Sequence, residues 1–193
     1  MAYKNHAKTR RLAGLALFTA LVVILQLLGS FIHLGPFSIS LVAMPIVVGA
    51  AVYGSTAGLW LGFVFGMVVL LSGDAGAFLA VDVPGTLITV LAKGILCGGA
   101  AGLVYAALQR FSRPAAAITA AVVCPVVNTG VFLLGCRIFF YETVTAWAGG
   151  TNVGRYMIVT LVGLNFLAEL GINVVLSPVI LRLIRIGRKE KEA

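Results

Sequence analysis

Charge is what this chain has least of. Asp, Glu, Lys and Arg make up 10% of the residues, against 61% for apolar types, and the charges fall mainly at segment ends. Bilayer hydrocarbon accepts apolar side chains and penalises charge, so this scarcity describes a polytopic membrane protein with almost no soluble part. Histidine is nearly absent as well. His6 and His33 are isolated, and each reads as a solvated or interfacial side chain rather than a ligand or base. The three cysteines, Cys97, Cys124 and Cys136, form no CxxC pair and sit in apolar stretches. They read as small buried hydrophobes, against a zinc site or a disulfide framework. No GxxxxGK-S/T phosphate loop occurs, which excludes ATP hydrolysis by that route, and neither HExxH nor GxSxG is present. Adjacent membrane aspartates of the protease kind are missing too. Neither catalysis, a cofactor nor a metal is therefore expected.

What charge there is has a pattern. The formal net charge is +8, but its distribution argues against nucleic acid as a partner. Lys4, Lys8, Arg10 and Arg11 lie at the start, and Arg182, Arg185, Arg188, Lys189 and Lys191 at the end. They flank hydrophobic segments, as cytoplasmic juxtamembrane positives do. The apolar run over residues 12–28 is followed by no convincing cleavage site, so it reads as a retained helix.

At about 20 apolar residues per span, 193 residues hold roughly six transmembrane helices in a single domain. The expected helices cover residues 11–30, 38–53, 56–72, 85–108, 115–134 and 156–184. Outer loops fall at 31–37, 73–84 and 136–155, a tight turn at Gly54-Ser55, and a basic connector at 109–114. Basic tails at 1–10 and 185–193 both lie in the cytoplasm under the positive-inside rule, and the Arg110/Arg113 connector lands there too. The fold class expected is an all-α six-helix membrane bundle with both termini inside.

Small residues mark the packing faces. Gly54, Gly58, Gly62 and Gly66 recur every fourth residue on the third helix, and Gly94, Gly98 and Gly102 do the same on the fourth. Such faces let helix backbones approach closely in lipid. Packing within the chain is the favoured reading, and neither stripe alone predicts a dimer. Ala16 and Ala20 make an AxxxA step on the first helix, a shallow groove for another helix.

Polar residues kept inside apolar helices are the functional candidates, because each costs at least ~2.5 kcal/mol there if charged and unpaired. Lys93 lies within the fourth helix and Glu169 within the sixth; Asn165, Glu169 and Asn173, spaced by four, share a broad face. Asn128 and Thr129 add a polar patch to the fifth helix. Two readings stay open: a polar cavity between helices four to six, or a structural Lys93–Glu169 pair with asparagines bridging helices. In the outer loops Asp74, Phe78, Asp82, Tyr141, Trp147 and Arg155 suit a lid over a small ligand, while Trp147 and Tyr141 equally suit an interfacial belt.

The chain resembles the substrate-binding S component of an energy-coupling factor (ECF) vitamin transporter over nearly its whole length. The likeness rests on its size, the six-helix layout, the basic first helix with Ala16 and Ala20, and the stretch Pro45-Ile-Val-Val-Gly49 followed by Gly54-Ser55-Thr-Ala-Gly58. That run is similar to a proline-to-glycine pattern of these proteins, with Ser55 standing where proline is frequent. The resemblance implies a passive, high-affinity binder without ATPase activity. It would sit multi-pass in the cell membrane and dock through Ala16 and Ala20 on a transmembrane coupling protein (T component) with two ATPases. By the same resemblance the ligand site would draw on Lys93, Asn128, Trp147, Asn165 and Glu169. Pantothenate is the leading cargo, with riboflavin and folate open. A stand-alone secondary transporter, and a membrane enzyme using Lys93, Asp74 or Asp82, are the competing readings.

Overall fold

Helix boundaries follow from local chemistry at each end. The computed structural model describes residues 2–32 and 40–192, with side chains for 9–32 and 40–188, and every regular element among them is helical. Helix α1 spans Ala2–Gly29. His33, most of the expected outer loop at 31–37 and the expected start of the second helix at 38 lie outside the described residues, as do the side chains of His6 and of the outermost tail lysines. Helix α2 covers Ala43–Tyr53 and α3 covers Ser55–Leu71. Between them Gly54 takes φ +95°, a conformation that a residue without Cβ adopts at no steric cost.

Of the next three helices, the second and third are started by capping side chains. Helix α4 is one turn, Gly76–Leu79, inside the expected outer loop. Helix α5, Val83–Leu108, begins where Asp82 accepts a hydrogen bond from the Gly85 N–H (3.1 Å), with Pro84 in its first turn. Helix α6, Arg113–Phe139, begins in the same way: Ser112 accepts from the Ala115 N–H (3.4 Å) beside Pro114. Helix α6 runs five residues past its expected end at 134. The segment expected as an outer loop then forms α7, Tyr141–Ala148, which Gly149 ends in the left-handed conformation.

One expectation is corrected. A continuous sixth helix over 156–184 does not form. In its place stand α8 (Val153–Arg155), a π-helical turn (Tyr156–Leu161), α9 (Gly163–Val175) and α10 (Ser177–Glu192). The axis bends by 43° between Val153–Leu161 and Gly163–Val175. The turn over Tyr156–Leu161 takes the wider π form, as occurs mostly in single turns. The second break precedes Pro178, whose missing N–H suits the first turn of a new helix.

Helix α5 lies at the centre, between α3 and α6. Its glycine stripe meets that of α3 face to face. A Cβ on Gly62 would run into the Gly94 carbonyl oxygen, one on Gly58 into that of Gly98, and the reverse contacts hold as well. Both stripes are therefore used within the chain. Buried Ile46, Leu61, Phe65, Cys97, Ala120 and Ile180 belong to the main apolar core, and Phe78, Phe140, Val144 and Leu161 to a second one. All three cysteines are buried and free.

Both ends of the chain meet the same end of the bundle. Arg11 donates to the Tyr53 carbonyl (3.3 Å) and to Thr56 (3.4 Å). Arg188 donates to the Ala51 carbonyl (3.1 Å) and to Gln109, with its guanidinium 5.2 Å from the Tyr105 ring centre. By length and composition three helices among the described residues can cross a membrane, Thr9–Gly29, Val83–Leu108 and Arg113–Phe139, or four if the bent pair is one span. At about 1.5 Å per residue, the 17-residue α3 reaches about 25 Å and the 11-residue α2 about 16 Å, short of a hydrocarbon core about 30 Å thick.

Candidate functional site

A cavity of about 700 Å³, its open mouth included, lies among α1, α3, α5, α6 and α9. Helix α5 contributes Lys93 and Val90; α6 contributes Asn128, Thr129 and Phe132; α9 contributes Asn165, Phe166 and Glu169. The π turn and the break after it supply Leu161 and Val162, so the interruption of the last span shapes one wall. Phe65 and Val69 of α3 and Phe78 of α4 complete the apolar lining.

The remaining wall is a hydrogen-bonded chain that ties four segments together. Gln26, 1% exposed on α1, donates from Nε2 to Asp74 Oδ2 (3.0 Å), and Ser72 donates to the same oxygen (3.0 Å). The Ser40 hydroxyl donates to Gln26 Oε1 (3.4 Å), and the Ser40 N–H donates to Glu169 Oε1 (2.7 Å). Both carboxylates are thus held by protein donors, as a charge at this depth requires. The Lys93 ammonium lies between two rings, 5.5 Å from the centre of Phe65 and 5.4 Å from that of Phe132. Among the described residues no group of three His, Cys, Asp or Glu is placed to hold a metal ion.

These polar groups gather in one cavity of an all-helical chain with several membrane-length apolar helices, and the sequence relationship agrees with that picture. A family model, "ECF transporter, substrate-specific component", matches residues 10–181. The chain belongs to this family. No curated protein matches it closely enough to count as a relative. The protein is accordingly a membrane protein of transport, from a transporter family and not an enzyme family, whose members take a small-molecule substrate and work with a T component and ATPases.

Of the residues expected at the site of this S component, Lys93, Asn128, Asn165 and Glu169 line the cavity together. Trp147 does not. It lies on α7 and stacks edge-on against Phe78 (ring centres 5.5 Å apart), and Phe78 in turn packs on Phe132 and Phe140. The direct Lys93–Glu169 ion pair is absent among the described residues, since Lys93 faces the rings and Glu169 holds Ser40. Asn173 is buried below the lining. Asp82 is the cap of α5 rather than a cavity group. Ala16 and Ala20 are exposed on α1, away from the cavity.

Gln26, Ser40, Phe65 and Phe132 were not anticipated. Gln26 gives the same signal as Lys93, a polar residue inside an apolar helix, and could have been found by it. The phenylalanines give none, because in a lipid-facing sequence an aromatic on the inner face reads like any other.

Proposed function

We propose that this chain is the high-affinity, membrane-embedded substrate-binding subunit of an ECF-type ABC importer for a water-soluble vitamin or related micronutrient. It folds as one six-helix domain, multi-pass in the cell membrane, with both termini cytoplasmic. The single observation that carries the reading is the cavity that brings Lys93, Asn128, Asn165 and Glu169 together from three separate helices. These side chains contact the cargo, and Trp147 acts through Phe78 by closing the aromatic cluster over it. The in-in topology is supported by the two chain ends meeting one end of the bundle. Helices α2 and α3, short of a full span, count as crossings because they follow one another through a tight reversal within the bundle.

Ala16 and Ala20 form the docking face for the transmembrane coupling protein, which couples to two ATPases. Their exposure supports this, since two alanines one turn apart leave a groove that a partner helix can fill. Pantothenate is the leading cargo, ahead of riboflavin and folate. The test is to purify the full chain alone in detergent and titrate it calorimetrically with a panel of water-soluble vitamins. Tight one-to-one binding of one vitamin without ATP is expected. A well-folded chain that binds none would remove the assignment.

A further inference from the structure

Lys93 is the charged group in the cavity that has no direct ion-pair partner among the described residues. The chain contains six acidic residues, Asp74, Asp82, Glu142, Glu169, Glu190 and Glu192. Asp74 is held by Gln26 and Ser72, and Glu169 by the Ser40 N–H. Asp82 caps α5, Glu142 is exposed at the start of α7, and Glu190 and Glu192 lie at the far end of α10. Among the described residues no carboxylate makes an ion pair with the Lys93 ammonium, which lies between the faces of Phe65 and Phe132, with Asp74 and Glu169 farther off in the same cavity. Residues 33–39 contain no acidic side chain that could supply a partner. Two rings at that range replace a small part of an ammonium's hydration. An ammonium buried in this way is costly until an anion meets it.

A second unmet group lies one turn from Phe132. Asn128 Oδ1 is buried with no hydrogen-bond partner among the described residues, and the residue lines the same cavity. A buried acceptor in that position calls for an N–H or O–H donor.

From this juxtaposition we infer that Lys93 is an anion subsite. The captured molecule is a monocarboxylate whose carboxylate docks on the Lys93 ammonium, and a hydroxyl or amide N–H of the same molecule donates to Asn128. A single ammonium matches a single negative charge. Asp74 and Glu169 line the same cavity, and their repulsion of an anion grows with its charge, which favours a monocarboxylate over a dianion such as a phosphate monoester. The inference rests on the proposed substrate-binding reading of the cavity and narrows it to one ligand class.

The test uses the purified full chain and matched pairs of probes: pantothenate and pantothenol, biotin and biotinamide, nicotinate and nicotinamide, with riboflavin as a neutral and thiamine as a cationic comparison. The expected result is tight binding of one acid, with its neutral counterpart about a hundredfold weaker, the scale of one charge-assisted contact in a water-poor site. Lys93→Met should lower the acid's affinity to that of the neutral counterpart and leave the neutral compound's own affinity nearly unchanged. Lys93→Arg should keep a preference for the acid. Acid and neutral forms bound within threefold of each other by the wild-type chain would overturn the inference, and that comparison needs no variant. Riboflavin or thiamine as the tight ligand would overturn it too, while leaving the substrate-binding reading intact. A folded chain that binds nothing in the panel would remove the substrate-binding reading and the inference with it.

Discussion

Gly62→Ala adds one methyl group where α3 and α5 touch. The new Cβ meets the Gly94 carbonyl oxygen, a backbone atom that cannot rotate away as a side chain would. The helices must separate locally, and overpacking of this kind costs about 1–3 kcal/mol. Alanine also favours a helix over glycine by about 0.8–1.0 kcal/mol, which partly hides the collision. Gly171→Ala on α9 isolates it, because nothing lies within 4 Å of a Cβ built there. The propensity gain is common to both variants, so the difference between them is the collision alone, about 1–3 kcal/mol. At about 2–4 °C per kcal/mol for a chain of this length, Gly62→Ala should melt some 2–12 °C below Gly171→Ala. The assay is thermal unfolding of both purified full-length variants in the same detergent. Adding Gly94→Ala to Gly62→Ala should cost less than the sum of the two, since the first separation makes room for the second. If Gly62→Ala melts as high as Gly171→Ala, the two glycine stripes do not pack on each other and the central contact of the fold is misplaced.

Three further outcomes follow from the site and the exposed face of α1. Leucines at both Ala16 and Ala20 should abolish co-purification with the coupling protein and ATPases while leaving ligand titrations of the isolated chain unchanged; retention of both would disprove the docking face. Gln26→Leu keeps the bulk of the side chain but removes a donor from Asp74 and an acceptor from Ser40, so it should lower stability by about 1–3 kcal/mol. An unaltered melting temperature would show that this wall of the cavity does not depend on Gln26. Trp147→Ala removes the edge-on contact with Phe78, worth about 0.5–1.5 kcal/mol, and should speed ligand dissociation about 2- to 12-fold in stopped-flow chase experiments. Trp147→Phe should restore most of the slow rate, and equal rates for wild type and Trp147→Ala would exclude a closing role.

Much of this architecture is legible in residues whose chemistry is local. Asp82 with Pro84 and Ser112 with Pro114 mark the starts of α5 and α6 within two residues of expectation, because a cap needs only its own first turn. The glycine periods expose the α3–α5 contact, since four-residue spacing of small residues has few other uses in lipid. Lys93, Asn128, Asn165 and Glu169 stand out because apolar surroundings make each polar residue conspicuous. The break at Val162 leaves no such mark. Residues 156–162 are as apolar as an intact span, so nothing in their composition announces the π turn or the 43° bend. Ser40 was illegible for a related reason. It enters the site through its backbone N–H, and any residue but proline carries that group.

At Gly58, Gly62, Gly94 and Gly98 the contact of α3 with α5 sets backbone against backbone. That close contact ties the two helices to each other, and Phe65 and Lys93 sit one on each of them. Helix α9 hangs between two interruptions, at Val162 and at Leu176, and carries Asn165 and Glu169 on a segment able to swing. Ligand should then slow amide hydrogen exchange in α9 and leave α3 and α5 as they were.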